Sequence, residues 1–418
     1  MYFEDEEAVM GDEAFLQDSR QRDEEFMIFK YNRDKLRYFW NTISSIRECE
    51  WNWSPLNPNV GSDRERLSPQ ERRIYAIQAV QACIREQIQD LLSGQNPTFY
   101  SPNRKDWNYV QYDPSYGLVP VEDSLMALGA VKTSLYVRGS QNKYTKIMFV
   151  LQMILKLLMD DTRATQRDMY YQRAKDFKNQ HELNESLFVI SSMLQISRYD
   201  LHILTTSKGL IYGDFNYVDP DNFHLVDCRK SVTNVPDNVL GIRQMSSNAK
   251  LCLVVEKDAV FQRLVNSNLL HIFNREVIII TGKGVPDVNT RQLLHRIYQC
   301  FKLPMFALVD GDPYGIDIMF VYKYGSLSMA WCCENMTVPA LKWIGLHPTD
   351  FELMESNQLL EMNEPDVRRC HSLLNRPYID DFMIMQIEYM LEVNKKAEIQ
   401  SESILSYIVE KINFGEYI

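Results

Sequence analysis

Three short apolar runs in the second half of the chain alternate with helical patterns. The runs are Leu251–Glu256, Val277–Thr281 and Met305–Val309. Apolar residues at helical spacing lie near residues 258–270, 290–302 and 314–324. Buried strands that alternate with helices predict a parallel sheet covered on both faces. Since the site of such a sheet lies beyond the carboxyl ends of its strands, the residues that follow these runs are candidates for chemistry.

Helical patterns also fill the middle of the chain, ahead of a candidate β-hairpin. The first pattern runs from Lys143 to Leu158. The second begins at a cap formed by Thr165 and Asp168, and the third runs from Leu187 to Leu194. The apolar runs Leu201–Thr206 and Leu210–Phe215 then flank Ser207–Gly209, a spacing typical of a hairpin. Three short helices followed by a hairpin predict a winged helix–turn–helix, which can lay one helix in a DNA groove.

A further helix is predicted to begin at Ser68. Ser68 suits the N-cap, Pro69 the first helical position, and Glu71 can complete a capping box. The apolar residues of this helix lie on one face and are Ile77, Val80, Ile84, Ile88 and Leu91. The stripe either packs on the chain's own core or docks a helix from another protein, and the pattern alone leaves both open.

Charge is distributed unevenly along the 418 residues. The formal net charge is −11, which by itself argues against a nucleic-acid partner. Residues 1–25, however, hold ten acidic against two basic side chains, a net of −8, which leaves −3 for the rest of the chain. The acidic block is typical of a solvated, partly disordered tail. A DNA partner for the remaining chain is therefore not excluded.

Cysteine spacing and hydropathy argue against a zinc-binding, a disulfide-rich, a membrane-spanning and a secreted protein. The eight cysteines include no CxxC pair, so neither a zinc site nor a disulfide framework is indicated. No apolar run approaches the roughly 18–20 residues that span a bilayer, and the acidic N-terminus does not fit a secretory signal. We therefore expect a soluble intracellular protein with reduced thiols and no membrane partner.

Acidic side chains follow two of the predicted strands. Glu256 ends the first run, and Asp310 and Asp312 follow the third in a turn rich in glycine and proline. Clustered carboxylates repel one another unless a cation neutralises them, and Mg²⁺ prefers hard oxygen ligands. A surface turn is the alternative interpretation of the aspartate pair, because Asp, Gly and Pro are common in turns. With Glu256 at the same sheet edge, we favour a Mg²⁺ site that orients phosphate.

A basic segment surrounds two adjacent tyrosines near the start of the helix capped by Thr165. Residues 161–180 hold five basic side chains against three acidic ones, and Arg167 lies one helical turn before Tyr171. A tyrosine can attack a phosphodiester as a covalent nucleophile, and a guanidinium can bind the scissile phosphate. The chain has 23 tyrosines, so spacing alone does not single out Tyr171.

Several longer strings resemble the meiotic double-strand-break transesterases, the eukaryotic relatives of the topoisomerase VI A subunit. The most distinctive are Thr281–Arg291 (TGKGVPDVNTR), Leu308–Gly315 (LVDGDPYG) and Tyr322–Ser326 (YKYGS). Others are Arg167–Tyr171, Leu201–Leu210, Val255–Asp258, Val338–Trp343 and Lys396–Gln400. They occur in the expected order from about Ile77 to the C-terminus. Their residues are more similar to the meiotic branch than to the archaeal one.

The resemblance implies an α+β multi-domain protein in which a winged helix–turn–helix domain precedes a Toprim domain, an α/β, Rossmann-like fold. It implies that Tyr171 is the nucleophile and that Lys208 contacts the DNA backbone. It further implies that Glu256, Asp310 and Asp312 bind Mg²⁺. The expected reaction is metal-assisted transesterification of DNA, which leaves a 5′-phosphotyrosyl link and starts meiotic recombination on chromosomes in the nucleus.

Partners and domain boundaries follow from the same resemblance. We expect double-stranded DNA, a homodimer that combines the tyrosine of one protomer with the carboxylates of the other, various meiotic accessory proteins and a topoisomerase VI B-like subunit. The predicted domains are an acidic, partly disordered extension (1–65), a helix and possible partner interface (66–98), the winged-helix domain (99–240), and the Toprim domain with C-terminal helices (241–418). A type IIB topoisomerase component that reseals DNA and a catalytically silent DNA-binding scaffold are the alternatives.

Overall fold

A computed structural model of the chain describes residues 68–103, 106–121, 130–267, 275–399 and 404–414. In chain order its helices are α1 (Pro69–Leu92), α2 (Gln141–Met159), α3 (Gln166–Gln172), α4 (Gln180–Leu194), α5 (Asp258–Val265), α6 (Val288–Phe301), α7 (Pro313–Lys323), α8 (Glu364–Leu374), α9 (Asp381–Val393) and α10 (Ile404–Phe414). Its strands are β1 (Thr98–Ser101), β2 (Val110–Asp113), β3 (Gly117–Pro120), β4 (Val131–Ser134), β5 (Ala164–Thr165), β6 (Ile203–Leu204), β7 (Leu210–Gly213), β8 (Asn216–Val218), β9 (Leu225–Asp227), β10 (Thr233–Asn234), β11 (Met245–Ser246), β12 (Leu251–Val255), β13 (Val277–Thr281), β14 (Met305–Leu308), β15 (Lys342–Gly345), β16 (Leu359–Glu361) and β17 (Lys395–Ala397).

These elements form two compact units. The first, which we call the helical unit, comprises the described residues up to Pro102 together with Ala130–Ile203. The second, which we call the sheet unit, comprises the described residues of Asn103–Gly129 and of Leu204–Ile418. The predicted acidic extension at residues 1–65 lies outside the described part of the chain.

The helical unit is built around α2, which is buried on almost every side. Its residues from Tyr144 to Leu155 are buried without interruption, because α1 and α4 both pack against it. Helix α1 begins where the sequence predicts. The Ser68 hydroxyl accepts a hydrogen bond from the Glu71 amide at 3.3 Å, and the Glu71 carboxylate accepts one from the Ser68 amide at 2.7 Å. The predicted capping box is confirmed.

The apolar stripe of α1 faces the core of its own unit. Val80 and Ile84 are 0% and 2% exposed, and Ile88 is also buried in the cluster that α2 and α4 share. The Tyr144 hydroxyl donates a hydrogen bond to Gln87 of α1 at 3.1 Å, which adds a polar contact to the apolar ones. The core interpretation of the stripe is therefore confirmed, and the interface hypothesis for this face of the helix is wrong.

The sheet unit contains a six-stranded sheet in the order β10-β7-β13-β12-β14-β15. Strands β13, β12, β14 and β15 run parallel, β7 pairs antiparallel with β13, and β10 pairs antiparallel with β7 at the edge of the sheet. The three strands predicted from the apolar runs are confirmed as β12, β13 and β14, and the helices predicted near 258–270, 290–302 and 314–324 are α5, α6 and α7. The carboxyl ends of three adjacent strands consequently meet at one edge, which we call the acidic edge.

The prediction of a β-hairpin at residues 201–215 is wrong, because the two apolar runs do not pair with each other. Strand β7 pairs with β13 on one side and β10 on the other, so the second apolar run belongs to the sheet unit. Helices α2, α3 and α4 are present as predicted, but the winged helix–turn–helix as a whole is not confirmed. The units divide after Ile203 rather than near residue 240, and residues 103–129 also belong to the sheet unit.

Aromatic rings pack the β2–β3 hairpin onto the helices of the sheet unit. The Tyr324 ring lies 4.4 Å from Tyr378 and 5.6 Å from Tyr112, measured between centroids. The Leu118 amide also donates a hydrogen bond to the Tyr324 carbonyl at 2.8 Å. These contacts explain why a segment that precedes α2 in the chain is part of the later unit. Among the described residues, no helix has the length and apolar character needed to cross a membrane.

Candidate active site

Helix α3 presents Tyr171 to solvent. The Thr165 hydroxyl accepts a hydrogen bond from the Asp168 amide, and the Asp168 carboxylate accepts one from the Thr165 amide, both at 3.1 Å. Met169 is fully buried in the core of the helical unit and anchors this seven-residue helix. Tyr171, two residues further on, is 72% exposed. The predicted nucleophile thus lies on a capped and anchored helix with its side chain accessible to a large substrate.

The two adjacent tyrosines differ in burial. Tyr170 packs partly against the core of the helical unit, and its ring centroid lies 5.7 Å from that of Tyr171. Arg167 is exposed and precedes Tyr171 by one helical turn. The structure therefore distinguishes Tyr171 from Tyr170 by its greater exposure, whereas the sequence distinguishes them only through the family resemblance.

The basic segment around α3 contains both packed and exposed cations. Arg163 and Arg173 each lie over an aromatic ring of the helical unit, 4.0 and 5.1 Å from its centroid. Arg163 is nevertheless exposed, as are Arg167, Lys175 and Lys178. These four side chains carry the positive charge that an anionic ligand of the helical unit would meet first.

Glu256 follows β12 at the centre of the acidic edge and is itself buried. Its amide donates a hydrogen bond to the Leu308 carbonyl of β14 at 3.1 Å, and its carbonyl accepts one from Gly284 at 2.9 Å. The loop that carries Gly284 turns back toward Glu256 because Lys283 and Gly284 have φ values of +54° and +85°. The backbone of this first predicted ligand is thus held from both neighbouring strands.

Asp310 follows β14 and is engaged through its amide and through both carboxylate oxygens. The amide donates a hydrogen bond to Glu256 Oε2 at 2.9 Å. Oδ1 accepts one from the Ile399 amide at 3.0 Å, and Oδ2 lies 2.7 Å from Lys257 Nζ. The residue is 3% exposed. The structure therefore brings two predicted ligands, Glu256 and Asp310, into one hydrogen-bonded cluster.

Asp312 completes the acidic edge as the N-cap of α7. Its Oδ1 accepts a hydrogen bond from the Gly315 amide at 2.6 Å. A Cβ atom at Gly315 would lie 2.5 Å from the Asp310 carbonyl oxygen and 3.0 Å from Glu256 Oε2. Glycine is required here because the first turn of α7 lies against the other two acids. All three predicted ligands therefore lie at one edge of the sheet.

Burial and like charge alter the acidity of this cluster. Desolvation, followed by the charges of Asp310 and Asp312, raises the pKa of Glu256 to about 7. Burial, reinforced by the Asp310 charge, also raises the pKa of Asp312. Acids that resist ionisation in this way are stabilised in their charged form by a nearby cation. The electrostatics of the edge therefore favour the binding of a cation.

Lys257 and Glu398 also belong to the cluster, although no pattern in the sequence assigned them a role. Lys257 Nζ lies 3.0 Å from Glu398 Oε2 in addition to its contact with Asp310. Partial burial works to lower the pKa of Lys257, but the hydrogen bonds and charges of Asp310 and Glu398 outweigh it, and the net shift is upward. Gly311 and Ala397 exchange backbone hydrogen bonds of 3.0 Å, which place the segment after β17 beside Asp310.

Lys208 lies in the sheet unit, next to the loop after β13. Its amide donates a hydrogen bond to Asp287 Oδ2 at 2.8 Å, and its Nζ donates one to the Lys283 carbonyl at 3.3 Å. The side chain is exposed. Lys208 thus lies between β6 and β7 and not in the turn of a hairpin, and its contact with DNA backbone stays a prediction.

The donor types at the acidic edge fit Mg²⁺. Glu256, Asp310 and Asp312 offer hard oxygen atoms, and Gly315 provides the space that lets them approach one another. Across the described part of the chain, no three His, Cys, Asp or Glu side chains are already arranged to hold a metal ion. Oδ2 of Asp310 is paired with Lys257, so an ion that binds through this oxygen requires the ammonium to move.

Comparisons with known proteins cover both units. The family profile for the Toprim domain of Spo11 and of the topoisomerase 6 A subunit matches residues 251–412, and the profile described as Type IIB DNA topoisomerase matches residues 142–203. The mouse Meiotic recombination protein SPO11 is 37% identical over 358 residues, which are 82% of this chain and 88% of the mouse protein. The human protein of that name is 38% identical over 362 residues, 83% of this chain and 90% of the human one. The DNA topoisomerase 6 A subunit of Arabidopsis thaliana is 30% identical over 331 residues, 78% of this chain and 75% of the plant protein.

The chain belongs to the Spo11 and topoisomerase VI A family. This confirms the resemblance carried by the motifs, and it confirms a Toprim domain within the sheet unit. It also confirms the expected class of enzyme, a type IIB topoisomerase-like DNA transesterase of meiotic recombination. DNA binding and dimerisation come with membership of this family, and Toprim domains generally bind Mg²⁺.

Proposed function

We propose that the Tyr171 oxygen attacks a DNA phosphodiester and displaces the 3′ oxygen. One ester bond forms and one breaks, so the products are a 5′-phosphotyrosyl link and a 3′-hydroxyl, and the phenol proton is balanced by the proton that the leaving oxygen gains. The observation that best supports this assignment is the high exposure of Tyr171 on a helix anchored by Met169. Attack on both strands makes the double-strand break that starts meiotic recombination.

A tyrosine needs assistance at neutral pH because the usual pKa of a phenol is about 10. Arg167 is exposed one turn before Tyr171 on the same helix. We assign its guanidinium to the scissile phosphate, which it can bind through two parallel hydrogen bonds. The same positive charge stabilises the phenolate as it forms.

Glu256, Asp310 and Asp312 are the proposed Mg²⁺ ligands. The bound ion supplies positive charge that orients the phosphate and stabilises the charge that develops during phosphoryl transfer. The chain itself fixes the carboxylates, through the Asp310 amide on Glu256 and the Gly315 amide on Asp312. Glu256 and Asp310 are buried, which would keep a bound cation partly desolvated and strengthen its electrostatic effect.

The proposed assembly is a homodimer on double-stranded DNA. The tyrosine of one protomer works with the carboxylates of its partner, so two composite sites cut the two strands. Helices α2, α3 and α4 are proposed to be the core of a winged-helix-type DNA-binding unit, with exposed cations around α3. Phosphate contacts, including one from Lys208, are expected to dominate affinity and to weaken as salt increases. Meiotic accessory proteins, among them a topoisomerase VI B-like subunit, complete the assembly on nuclear chromosomes.

A resealing topoisomerase is the second candidate, and the 30% identity to a plant topoisomerase 6 protein favours considering it. It would use the same tyrosine and the same acids, because cleavage and resealing are one reaction in two directions. A strand-passage assay with a B subunit separates the two, since only a resealing enzyme converts supercoiled circles into relaxed closed circles. A catalytically silent scaffold would neither relax DNA nor form a covalent adduct with it.

The deciding experiment is to trap protein–DNA adducts and to map the modified residue. The dimeric protein with its B-type partner is incubated with duplex DNA and Mg²⁺, denatured, digested with nuclease and protease, and sequenced by mass spectrometry. We expect a nucleotide remnant on Tyr171. A remnant on Tyr170, or on a tyrosine outside α3, would overturn the assignment of the nucleophile.

A further inference from the structure

Lys257 connects the acidic edge to a residue 141 positions later in the chain. Its Nζ lies 2.7 Å from Asp310 Oδ2 and 3.0 Å from Glu398 Oε2. The other Asp310 oxygen accepts a hydrogen bond from the Ile399 amide. A cation that binds Oδ2 of Asp310 has to displace the ammonium, and the ammonium already contacts a second carboxylate to which it can move.

We propose that Lys257 is a built-in counter-cation of the acidic edge and that Glu398 receives it when a divalent ion binds. The inference rests on the proposed Mg²⁺ site at Glu256, Asp310 and Asp312. Before the ion binds, the ammonium neutralises Asp310 and stabilises the buried cluster. Once the ion binds, the ammonium pairs with Glu398 alone. Lys257 and Glu398 are therefore positioning residues that set the affinity for Mg²⁺.

The side chains and backbone around this pair fit such an exchange. A lysine ammonium is a point charge on a flexible stem and needs no fixed geometry, unlike a guanidinium. The Lys257 and Glu398 side chains are 30% and 45% exposed, so both have room to move. The backbone near Glu398 is held by the hydrogen bonds between Gly311 and Ala397. Only side chains have to rearrange, and the position of Asp310 is preserved.

The affinity of the full-length chain for Mg²⁺ without DNA, measured by titration calorimetry, tests the competition directly. Lys257→Met removes the competing charge and is expected to tighten binding about tenfold. Lys283→Met is a matched control, because that lysine is 35% exposed and lies 3.5 Å from Asp258 rather than on the cluster. It is expected to change affinity by less than about twofold. Unchanged or weaker binding by Lys257→Met would overturn the proposal.

Glu398→Gln tests the receiving carboxylate and predicts a change in the opposite direction. Without Glu398 the ammonium stays on Asp310, so Mg²⁺ binding is expected to weaken about fivefold. In the Lys257→Met background the same substitution should change affinity by less than about twofold, because no ammonium remains to be received. An equal loss in both backgrounds would mean that Glu398 acts on the ion itself, which contradicts the exchange.

Thermal melts separate a counter-cation from a purely structural ion pair. In EDTA, Lys257→Met is expected to lower the melting temperature by several degrees, because Glu256 and Asp310 lose the cation that offsets their charge. Excess Mg²⁺ should restore most of that loss, since the ion replaces the missing charge and binds the native state. An equal loss with and without Mg²⁺ would identify a structural salt bridge and overturn the proposal.

Asp310→Asn distinguishes failure of this inference from failure of the proposed metal site. If the wild-type chain shows no saturable Mg²⁺ binding, or if Asp310→Asn binds as well as wild type, the metal site is wrong and the counter-cation role falls with it. If Asp310→Asn abolishes binding while Lys257→Met leaves it unchanged, the metal site stands and the role of Lys257 is wrong.

Discussion

Tyr171 is 72% exposed on a helix of seven residues, whereas Asp310 is 3% exposed with both of its carboxylate oxygens engaged. The tyrosine helix is anchored by the buried side chain of Met169. The aspartate is held by contacts from Glu256, from Lys257 and from the segment after β17. The proposed nucleophile is presented by a small local element, and the proposed metal ligand is held by distant parts of the chain.

The contrast follows from what each group has to do. A nucleophile must reach a phosphodiester on a DNA duplex, so burial would prevent the reaction. Carboxylates that bind a cation have to be fixed and partly desolvated before the ion arrives, because pre-organised charges stabilise a transition state without reorganisation. Substitution of the tyrosine should therefore change chemistry alone, and substitution of the acids should change chemistry and stability together.

The largest expected effect on the reaction is the loss of adducts in Tyr171→Phe. Removal of the phenolic oxygen removes the nucleophile, so adduct yield should fall at least about 1000-fold. The melting temperature and DNA affinity should not change, because the side chain is mostly exposed. Tyr170→Phe is the matched control and should still form adducts. Normal adduct yield from Tyr171→Phe would show that the exposed tyrosine is not the nucleophile.

Glu256→Gln and Asp310→Asn are expected to lower cleavage about 100-fold or more, because each removes a hard anionic ligand. Glu256→Gln should also raise the melting temperature in EDTA at pH 8. Its pKa is raised to about 7, so the ionised carboxylate is disfavoured in the folded state at that pH and a neutral amide relieves the repulsion. Asp258→Asn, which removes the partner of Lys283 instead, is the control. Wild-type cleavage by either ligand variant across a Mg²⁺ titration would contradict the site.

Ile84→Asp together with Ile88→Asp tests the core that supports the tyrosine helix. Both side chains are buried in the cluster that also contains Met169, so each unpaired carboxylate should cost about 3–5 kcal/mol of unfolding free energy and cause aggregation. Ile74→Asp on the same helix is the control, because Ile74 is 46% exposed. A double mutant that melts like wild type would mean that this face is not core, and the interface hypothesis would return.

The smallest expected effect is that of Gly315→Ala on stability. The added methyl group would contact the Asp310 backbone and Glu256 Oε2, and we expect a loss of about 1–3 kcal/mol together with weaker Mg²⁺ binding. Gly94→Ala is a useful comparison, because no atom of the described residues lies within 4 Å of its Cβ position and only its left-handed φ of +75° opposes the change. If Gly315→Ala binds Mg²⁺ with unaltered affinity, the ion does not depend on the close packing of α7 against Asp310 and Glu256.

Local signals predicted much of the fold. Ser68 and Thr165 were identified as caps from the residues three positions later, and both capping boxes are present. The apolar runs predicted β12, β13 and β14 because a strand buried on both faces needs no alternation of polar residues. These features depend on neighbours in sequence, which a single chain displays directly.

Features that depend on distant partners were predicted poorly. Residues Leu210–Gly213 were assigned to a hairpin, but β13 and β10 are their ladder partners, and a strand's own sequence does not specify its neighbours. The stripe of α1 was compatible with core or interface because both bury apolar residues. The pairing of Lys257 with Glu398 was not found, and the only signal was the family motif that begins at Lys396. The choice of Tyr171 likewise depended on family resemblance, to which the structure adds its exposure.

The paired backbones of Gly311 and Ala397 have a consequence for the order in which the protein is made. The ribosome releases the tyrosine helix and the central strands of the sheet before it adds the residues that hold Asp310 in place. A nascent or prematurely terminated chain that stops before Lys395 therefore lacks the support of Asp310 from Ala397, Glu398 and Ile399. The carboxylate of Asp310 can therefore be fixed in place only after these residues have been added, and chains that stop before Lys395 are expected to lack the ordered acidic cluster on which the proposed cleavage depends.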